Sequence, residues 1–275
     1  MNLSKLVLAI FCVLLVSCGD KEEPPELPPT LSFVLNFDEF PEKNKTKPLT
    51  EKLEPLMAPA GANFVHAVFN VGIWKLITDV GMLIPATSFI AVFNAEPEKN
   101  ANGNWQWSNQ LSQFFTSYVA TLVRSLDGSD VVWRMYISKA NDYDDFLWYS
   151  GRHNKDMSAG TWTLKKDYTN NYDFIGIEWT HDSATSTGTL KYSNIIPADS
   201  GDMQASENGG YIYYGTTIDS TYDAFFDIYN KGADNLTSIQ WNRVSVFGRV
   251  SDMDKFGDAH WHCWDEGQQD TVCSP

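Results

Sequence analysis

Val131-Val132-Trp133-Arg134-Met135-Tyr136-Ile137-Ser138 alternates along its length: Val131, Trp133, Met135 and Ile137 are apolar, and the positions between include Arg134 and Ser138. A period of two puts successive side chains on opposite faces of a strand, one against a core and one toward water. The pattern recurs downstream. Ile175, Ile177 and Trp179 oppose Glu178 and Thr180, and Leu190 and Tyr192 oppose Thr189 and Lys191. Ala224, Phe226 and Ile228 alternate with Phe225, Asp227 and Tyr229, a strand apolar on both sides. Turn-forming pairs separate the segments at short intervals: Asp127-Gly128, Asn141-Asp142, Asn170-Asn171, His181-Asp182, Gly209-Gly210 and Lys231-Gly232. From Trp105 to Trp264 this makes about eleven β segments joined as hairpins. The expected fold is mainly β, an antiparallel up-and-down meander that forms a barrel or a strongly curved sheet. Ile239, Trp241, Val244 and Val246 change parity within their run, which predicts a bulge around Asn242 and Arg243.

Upstream the period changes. Between Ala62 and Phe93, apolar residues at 65, 68, 69, 73, 76, 77 and 80 follow helical spacing, with Asn63 as N-cap and Pro85 as a break between two helices. Lys75 and Asp79 sit one turn apart inside this stretch and argue against a bilayer span, where each would cost about 3 kcal/mol. The segment is expected to bury its apolar face against the sheet. Leu31, Phe33, Leu35 and Phe37 alternate loosely and predict a first strand, followed by a polar, proline-marked loop up to Pro59.

The N-terminus reads as an address. Met1 to Ser17 carries Lys5 and then the apolar run Leu6 to Val16, the layout of a secretory signal. Leu15-Val16-Ser17-Cys18 resembles the lipobox of bacterial lipoproteins in all four positions. That resemblance implies cleavage after Ser17, an acyl lipid on Cys18, and a membrane as partner through the anchor. Gly19-Asp20-Lys21-Glu22-Glu23 is similar to the acidic export run of surface lipoproteins of Bacteroidota-type bacteria, which implies an outer-membrane and possible cell-surface location. Trp105-Gln106-Trp107, Gly248-Arg249-Val250 and His262-Cys263-Trp264-Asp265 also resemble uncharacterised lipoproteins of that group, a likeness that brings no activity with it. Pro24, Pro25, Pro28 and Pro29 with Glu26 predict an extended tether from Cys18 to Thr30, reaching roughly 40 Å at ~3.1 Å per residue. The expected division is signal 1–17, lipidated tether 18–30, and a single β-rich domain 31–275.

Loss of the signal takes the net charge from −15 to −16, a balance that argues against nucleic acid as partner. Cys12 leaves with the signal and Cys18 is committed to lipid, so Cys263 and Cys273 are left to pair in an exported chain, worth roughly 3 kcal/mol.

Chemistry is sparse by comparison. No Gly-rich phosphate loop, Gly-x-Ser-x-Gly elbow or His-Glu-x-x-His occurs, and no cofactor is implied. His260 and His262 flank Trp261, and on a strand both imidazoles would share a face and could hold a metal with Asp258 or Asp265. Asp252-Met253-Asp254 resembles the start of a calcium loop, but Phe256 and Cys263 occupy ligand positions. His66 reads as a core histidine and His153 as a loop residue. The aromatic content, 14%, exceeds what one core face needs, and Trp133, Trp148, Trp162, Trp179, Tyr213 and Trp241 are the candidate ligand-binding residues of a concave aromatic face. The architecture invites comparison with sheet-and-helix carriers and lipocalin-like cups. The expected function is non-enzymatic binding of a small apolar or sugar-like ligand. The alternatives are a module docking onto an outer-membrane protein and, third, a glycan hydrolase built on paired carboxylates.

Overall fold

The computed structural model describes residues 22–35, 37, 40 and 60–273; the lipobox and Cys18 lie outside the described residues. Fourteen strands form one sheet in sequential order among them. The first half comprises β1 (Pro97–Lys99), β2 (Trp105–Gln113), β3 (Thr116–Asp127), β4 (Asp130–Lys139), β5 (Tyr143–His153), β6 (Ala159–Lys165) and β7 (Asp173–Asp182). The second comprises β8 (Thr187–Asn194), β9 (Tyr211–Thr216), β10 (Ala224–Asn230), β11 (Asn235–Trp241), β12 (Gly248–Asp252), β13 (His262–Trp264) and β14 (Asp270–Thr271). Each strand is antiparallel to the next, and β1 does not pair with β14. Of the two expected forms, the open curved sheet is the one found, and the barrel is not.

Helices α1 (Ala62–Gly81) and α2 (Leu83–Ala91) account for the curvature. Laid flat, fourteen strands would measure roughly 60 Å across. Yet α1 touches β10, β12, β13 and β14 while α2, joined directly to it, touches β2 and β3. A connected pair of helices reaches both ends only because the sheet wraps around it.

The alternation expected in β4, β7 and β8 is the alternation observed, and in β10, apolar on both sides, Ala224, Phe226 and Ile228 are the buried set. Trp133, Met135, Ile137, Ile177, Trp179, Leu190, Tyr192, Phe226 and Ile228 all enter the concave core. Two glycines make room for the indoles. Gly151 on β5 lies between Trp133 on β4 and Trp162 on β6, and a Cβ there would stand 2.3 Å from the Trp162 ring. Gly248 on β12 lies between Trp241 and Trp264, where a Cβ would stand 2.2 Å from Trp264. Large rings thus fill space that a side chain on the facing strand would otherwise occupy.

The helical segment forms as expected, with three corrections. The face of α1 that is buried carries Phe64, Ala67 and Val71, whereas Val65, Phe69, Ile73 and Leu76, expected inside, are exposed. This helix is apolar on nearly every side, so periodicity had no polar face from which to orient it. Asn63 is not the N-cap; Gly61 is, and the Asp270 carboxylate accepts from the Ala62 and Asn63 backbone N–H groups at 3.1 and 2.9 Å. The break falls at Met82, and Pro85 sits in the first turn of α2, where its missing N–H leaves no helical bond unmade. Lys75 lies 5.9 Å from the centroid of the Phe37 ring, and the Asp79 side chain is outside the described residues.

Two strand-level expectations also fail. The described residues between Leu31 and Phe40 form no strand: Thr30–Ser32 forms a short 3-10 turn, and Tyr192 Oη donates to Phe33 O and accepts from Leu35 N, both at 2.7 Å, in place of a ladder. Phe33, Leu35, Phe37 and Phe40 nonetheless fill the concave face, Phe33 stacking on Phe89 at 4.7 Å. Asn242 and Arg243 do not form a bulge; β11 ends at Trp241, and 242–247 is a loop with Val246 at φ 60°. The Pro/Glu stretch, expected as a free tether to Thr30, packs on the body instead. Glu22 pairs with Lys99, Leu27 lies against the core and Pro28 is buried. Extended proline-rich chain has no internal hydrogen bonds to lose, so docking it costs little order.

Cys263 and Cys273 are disulfide-bonded, Cα to Cα 5.2 Å. The loop they close carries Gln268, whose carbonyl accepts from Gly61 N at 2.8 Å, and Asp270, so the bond holds the start of α1 as well as the tail.

Because strands alternate in direction, the loops fall on two rims. One carries 100–104, 154–158, 183–186, 217–223 and 242–247, with the N-terminal segment among them; the other carries 114–115, 166–172, 195–210, 231–234 and 253–261, with α1 lying along it.

Candidate functional site

At the helix rim, α1 stands off the ends of β7, β8, β10 and β11 and leaves an open pocket of about 280 Å³. One wall is apolar: Ile73, Trp74 and Ile77 from α1 face Phe174 and Ile228 from the sheet. The other is polar, built of Ser193, Gln204, Asn230 and Asn235, and Asn70 reaches in from α1 beside Trp74. The amides are positioned by bonds that use only one end of each. Asn70 Nδ2 donates to His66 O at 3.0 Å, Asn235 Nδ2 to Asp252 Oδ1 at 2.8 Å, and Asn230 Oδ1 accepts from Ala233 N at 3.1 Å. Asn70 Oδ1, Asn235 Oδ1 and Asn230 Nδ2 have no partner among the described residues.

Asp252 ties this wall to the helix. It is buried, and His66 Nε2, Thr237 Oγ1, Asn235 Nδ2 and Lys255 N lie at 2.7, 2.7, 2.8 and 3.1 Å from its oxygens. Burial works to raise the Asp252 carboxyl, but the hydrogen bonds from Thr237, Asn235 and His66 outweigh it and hold it below the ordinary carboxylate value. His66 is therefore the satisfied histidine that the sequence suggests, and Asp252, committed to four donors, is not free to serve a calcium loop.

Asp202 braces the opposite lip. Lys166 and the Tyr172 hydroxyl both donate to it, and it caps the short turn Met203–Glu207 by accepting from Gln204 N at 2.9 Å. Those hydrogen bonds, Lys166 first, bring its pKa down to about 2.

None of the aromatic residues expected to bind a ligand lines this pocket. Trp133, Trp162 and Trp241 are fully buried beneath the helices and the N-terminal phenylalanines, so the concave face is core and not a cup. Trp148 sits at a register shift between β4 and β5, is buried in the core against Phe146 and donates its indole N–H to Lys165 O at 3.1 Å. Trp179 borders a second cavity of about 330 Å³ on the other rim, with Leu31, Leu35 and Leu190. Tyr213 lies on the convex face, in a broad, shallow polar groove with Lys191 and Asp227. Trp74 and Asn70 were missed, although one cue existed: an Asn one turn before a Trp in an otherwise apolar helix places an amide and an indole on one face.

The metal pair does not assemble. Strand β13 begins at His262, so His260 lies in the preceding bend and the shared-face argument lapses. His262 stacks on Phe256 at 3.8 Å with Nε2 3.1 Å from Asp258. No three His, Cys, Asp or Glu residues come together to hold a metal ion among the described residues. His153, expected in a loop, ends β5 and is buried between Trp133 and Trp179, with Nδ1 donating to Asn154 O at 2.5 Å.

The chain matches no protein-family model, no curated protein and no solved structure.

Proposed function

We propose that this chain is a non-enzymatic binding protein, held at the outer membrane by a lipid on Cys18, whose ligand is a small molecule with one apolar face and a hydrogen-bonding edge, as in a sugar ring. The observation that carries this reading is the helix-rim pocket, where indole and aliphatic side chains meet the amides of Asn70, Asn230 and Asn235, each of which keeps one end unbonded. Sugars present the same division, C–H faces that stack on aromatic rings and hydroxyls that bond amides. The volume of about 280 Å³ lies at the lower edge of small-ligand sites and suits one ring rather than a chain. Glu207 is the single carboxylate among the lining residues, whereas glycoside hydrolysis requires two. The lipobox supports the anchor, and mass spectrometry of the Cys18 peptide tests it: a thiol free of lipid sinks the anchor.

Docking onto an outer-membrane protein is the second reading. Its specific support is the exposed stripe Val65, Phe69, Ile73 and Leu76 on α1, with Phe114 and Phe115 exposed at a hairpin tip on the same rim, both at positive φ. Titration of ¹⁵N-indole-labelled protein with glucose, galactose, N-acetylglucosamine and octanoate separates the two. A sugar is expected to shift the Trp74 resonance, assigned by its loss in Trp74→Phe, and Trp74→Ala should weaken binding by roughly tenfold or more. A saturable shift with octanoate alone would replace the sugar by an acyl ligand. No shift with any probe would remove the pocket reading in favour of docking.

A further inference from the structure

We infer that the N-terminal rim rests on the bilayer, with Leu31, Ile218 and Val244 in contact with lipid, so that the helix-rim pocket opens on the side of the molecule away from the membrane. The inference rests on the proposed lipid at Cys18 and adds an orientation to it.

The argument begins with where the described chain starts. Glu22 pairs with Lys99, beside the 100–104 turn of the N-terminal rim. From there the chain stays on that rim: Leu27 lies against the core, Pro28 is buried, and Pro29, Thr30 and Leu31 border the cavity formed by the ends of β7, β8 and β9 with Arg243. Four Cα-to-Cα steps separate Cys18 from Glu22, which span at most ~14 Å. The opposite rim is roughly 30 Å away along the nine residues of β2. A lipid on Cys18 therefore reaches the bilayer easily with the N-terminal rim facing it. With the helix rim facing it, the spacer is too short.

The surface of that rim fits such a contact. Leu31, Ile218 and Val244 are 58%, 80% and 88% exposed, the first in the 3-10 turn and the others in loops on this side. The two longer loops are locked together: Asn242 Nδ2 donates to Thr221 O at 3.2 Å, and Arg243 donates from N and Nε to Asp223 at 2.8 and 3.0 Å. The Ile218 and Val244 tips are thus presented on a fixed platform, and little ordering is needed on contact. The carboxylates on these two loops are engaged within the protein, Asp223 with Arg243 and Asp219 with the backbone N–H of Thr221 at 2.6 Å. Such a surface suits zwitterionic headgroups and does not rely on anionic lipid.

The test uses the full lipidated chain in phosphatidylethanolamine/phosphatidylcholine vesicles, with a nitroxide at Ile218→Cys, Val244→Cys or Ile73→Cys. Collision with a water-soluble nickel reagent is expected to fall roughly threefold or more at 218 and 244 on vesicle binding, as for groups buried ~5–10 Å into the interface. Collision with oxygen should rise at both, and position 73 should remain aqueous. Immersion of 73, or aqueous behaviour of 218 and 244 on protein whose Cys18 carries lipid by mass spectrometry, overturns the orientation alone. Absence of the lipid overturns the anchor and the orientation together.

Discussion

Single residues set the tolerances of this core. Gly151 carries no side chain because Trp162 occupies its space, with a ring atom 2.3 Å from where a Cβ would stand. Gly151→Ala should therefore lower stability by about 1–3 kcal/mol, read as a shift of the urea midpoint at unchanged slope. An unchanged midpoint would mean that the indole can move aside. His153 makes the second residue-scale prediction. Burial pushes its imidazole below the ordinary value, against the opposing pull of its bond to Asn154 O. The unfolded chain, titrating near an ordinary histidine value of about 6.5, takes up the proton first. The stability tied to His153 is therefore complete above that value and is lost as pH falls below it. His153→Phe should flatten the pH dependence of urea unfolding between pH 7.5 and 5; an equal slope in both proteins would exclude His153 as its source.

At the scale of elements, α1 shows how much of a helix is decided by what surrounds it. The helix begins with Gly61, a residue with no capping side chain, and its first N–H groups are satisfied by Asp270 from 208 residues away. A carboxylate there also suits the positive end of the helix. Asp270→Ala should cost about 1 kcal/mol and speed amide exchange in the first turn of α1 ahead of the sheet. Exchange that is unchanged at Ala62 and Asn63 would count against a cap in trans. The strands, by contrast, were readable one at a time: β4, β7 and β8 each have a predominantly apolar parity, and that parity is the buried one. Where neither signal was clean the reading failed. Leu31 to Phe37 alternates like a strand, but Leu31 to Leu35 packs as an irregular strap, because Phe33 O and Leu35 N bond to the Tyr192 hydroxyl and not to a neighbouring strand.

At the scale of the whole molecule, one core joins the strap, both helices and the sheet from β2 to β13. Tryptophan fluorescence and far-ultraviolet circular dichroism should accordingly unfold in a single coincident transition, and separated midpoints would show that the helices detach first. The same continuity moved the candidate site. Composition placed a ligand on a concave aromatic face, but the helices, Leu35 and three phenylalanines of the N-terminal strap fill that face, and pockets are left at the rims. Trp74, Asn70 and Asn235 come from α1 and β11, far apart in sequence, and no local pattern announces their meeting.

The sequence by itself determined the antiparallel meander and the apolar helical segment beside it, because hydrophobic period and turn chemistry act over a few residues, and it put Cys263 and Cys273 ten residues apart, close enough in the chain to pair. Only the tertiary structure decided that the sheet stays open, which face of α1 is buried, and that the pocket lies between α1 and the strand ends. Those outcomes depend on how a nearly all-apolar helix shares a limited core volume with the N-terminal strap and the buried tryptophans of the sheet. That competition is between residues distant in the chain, and it is settled by packing.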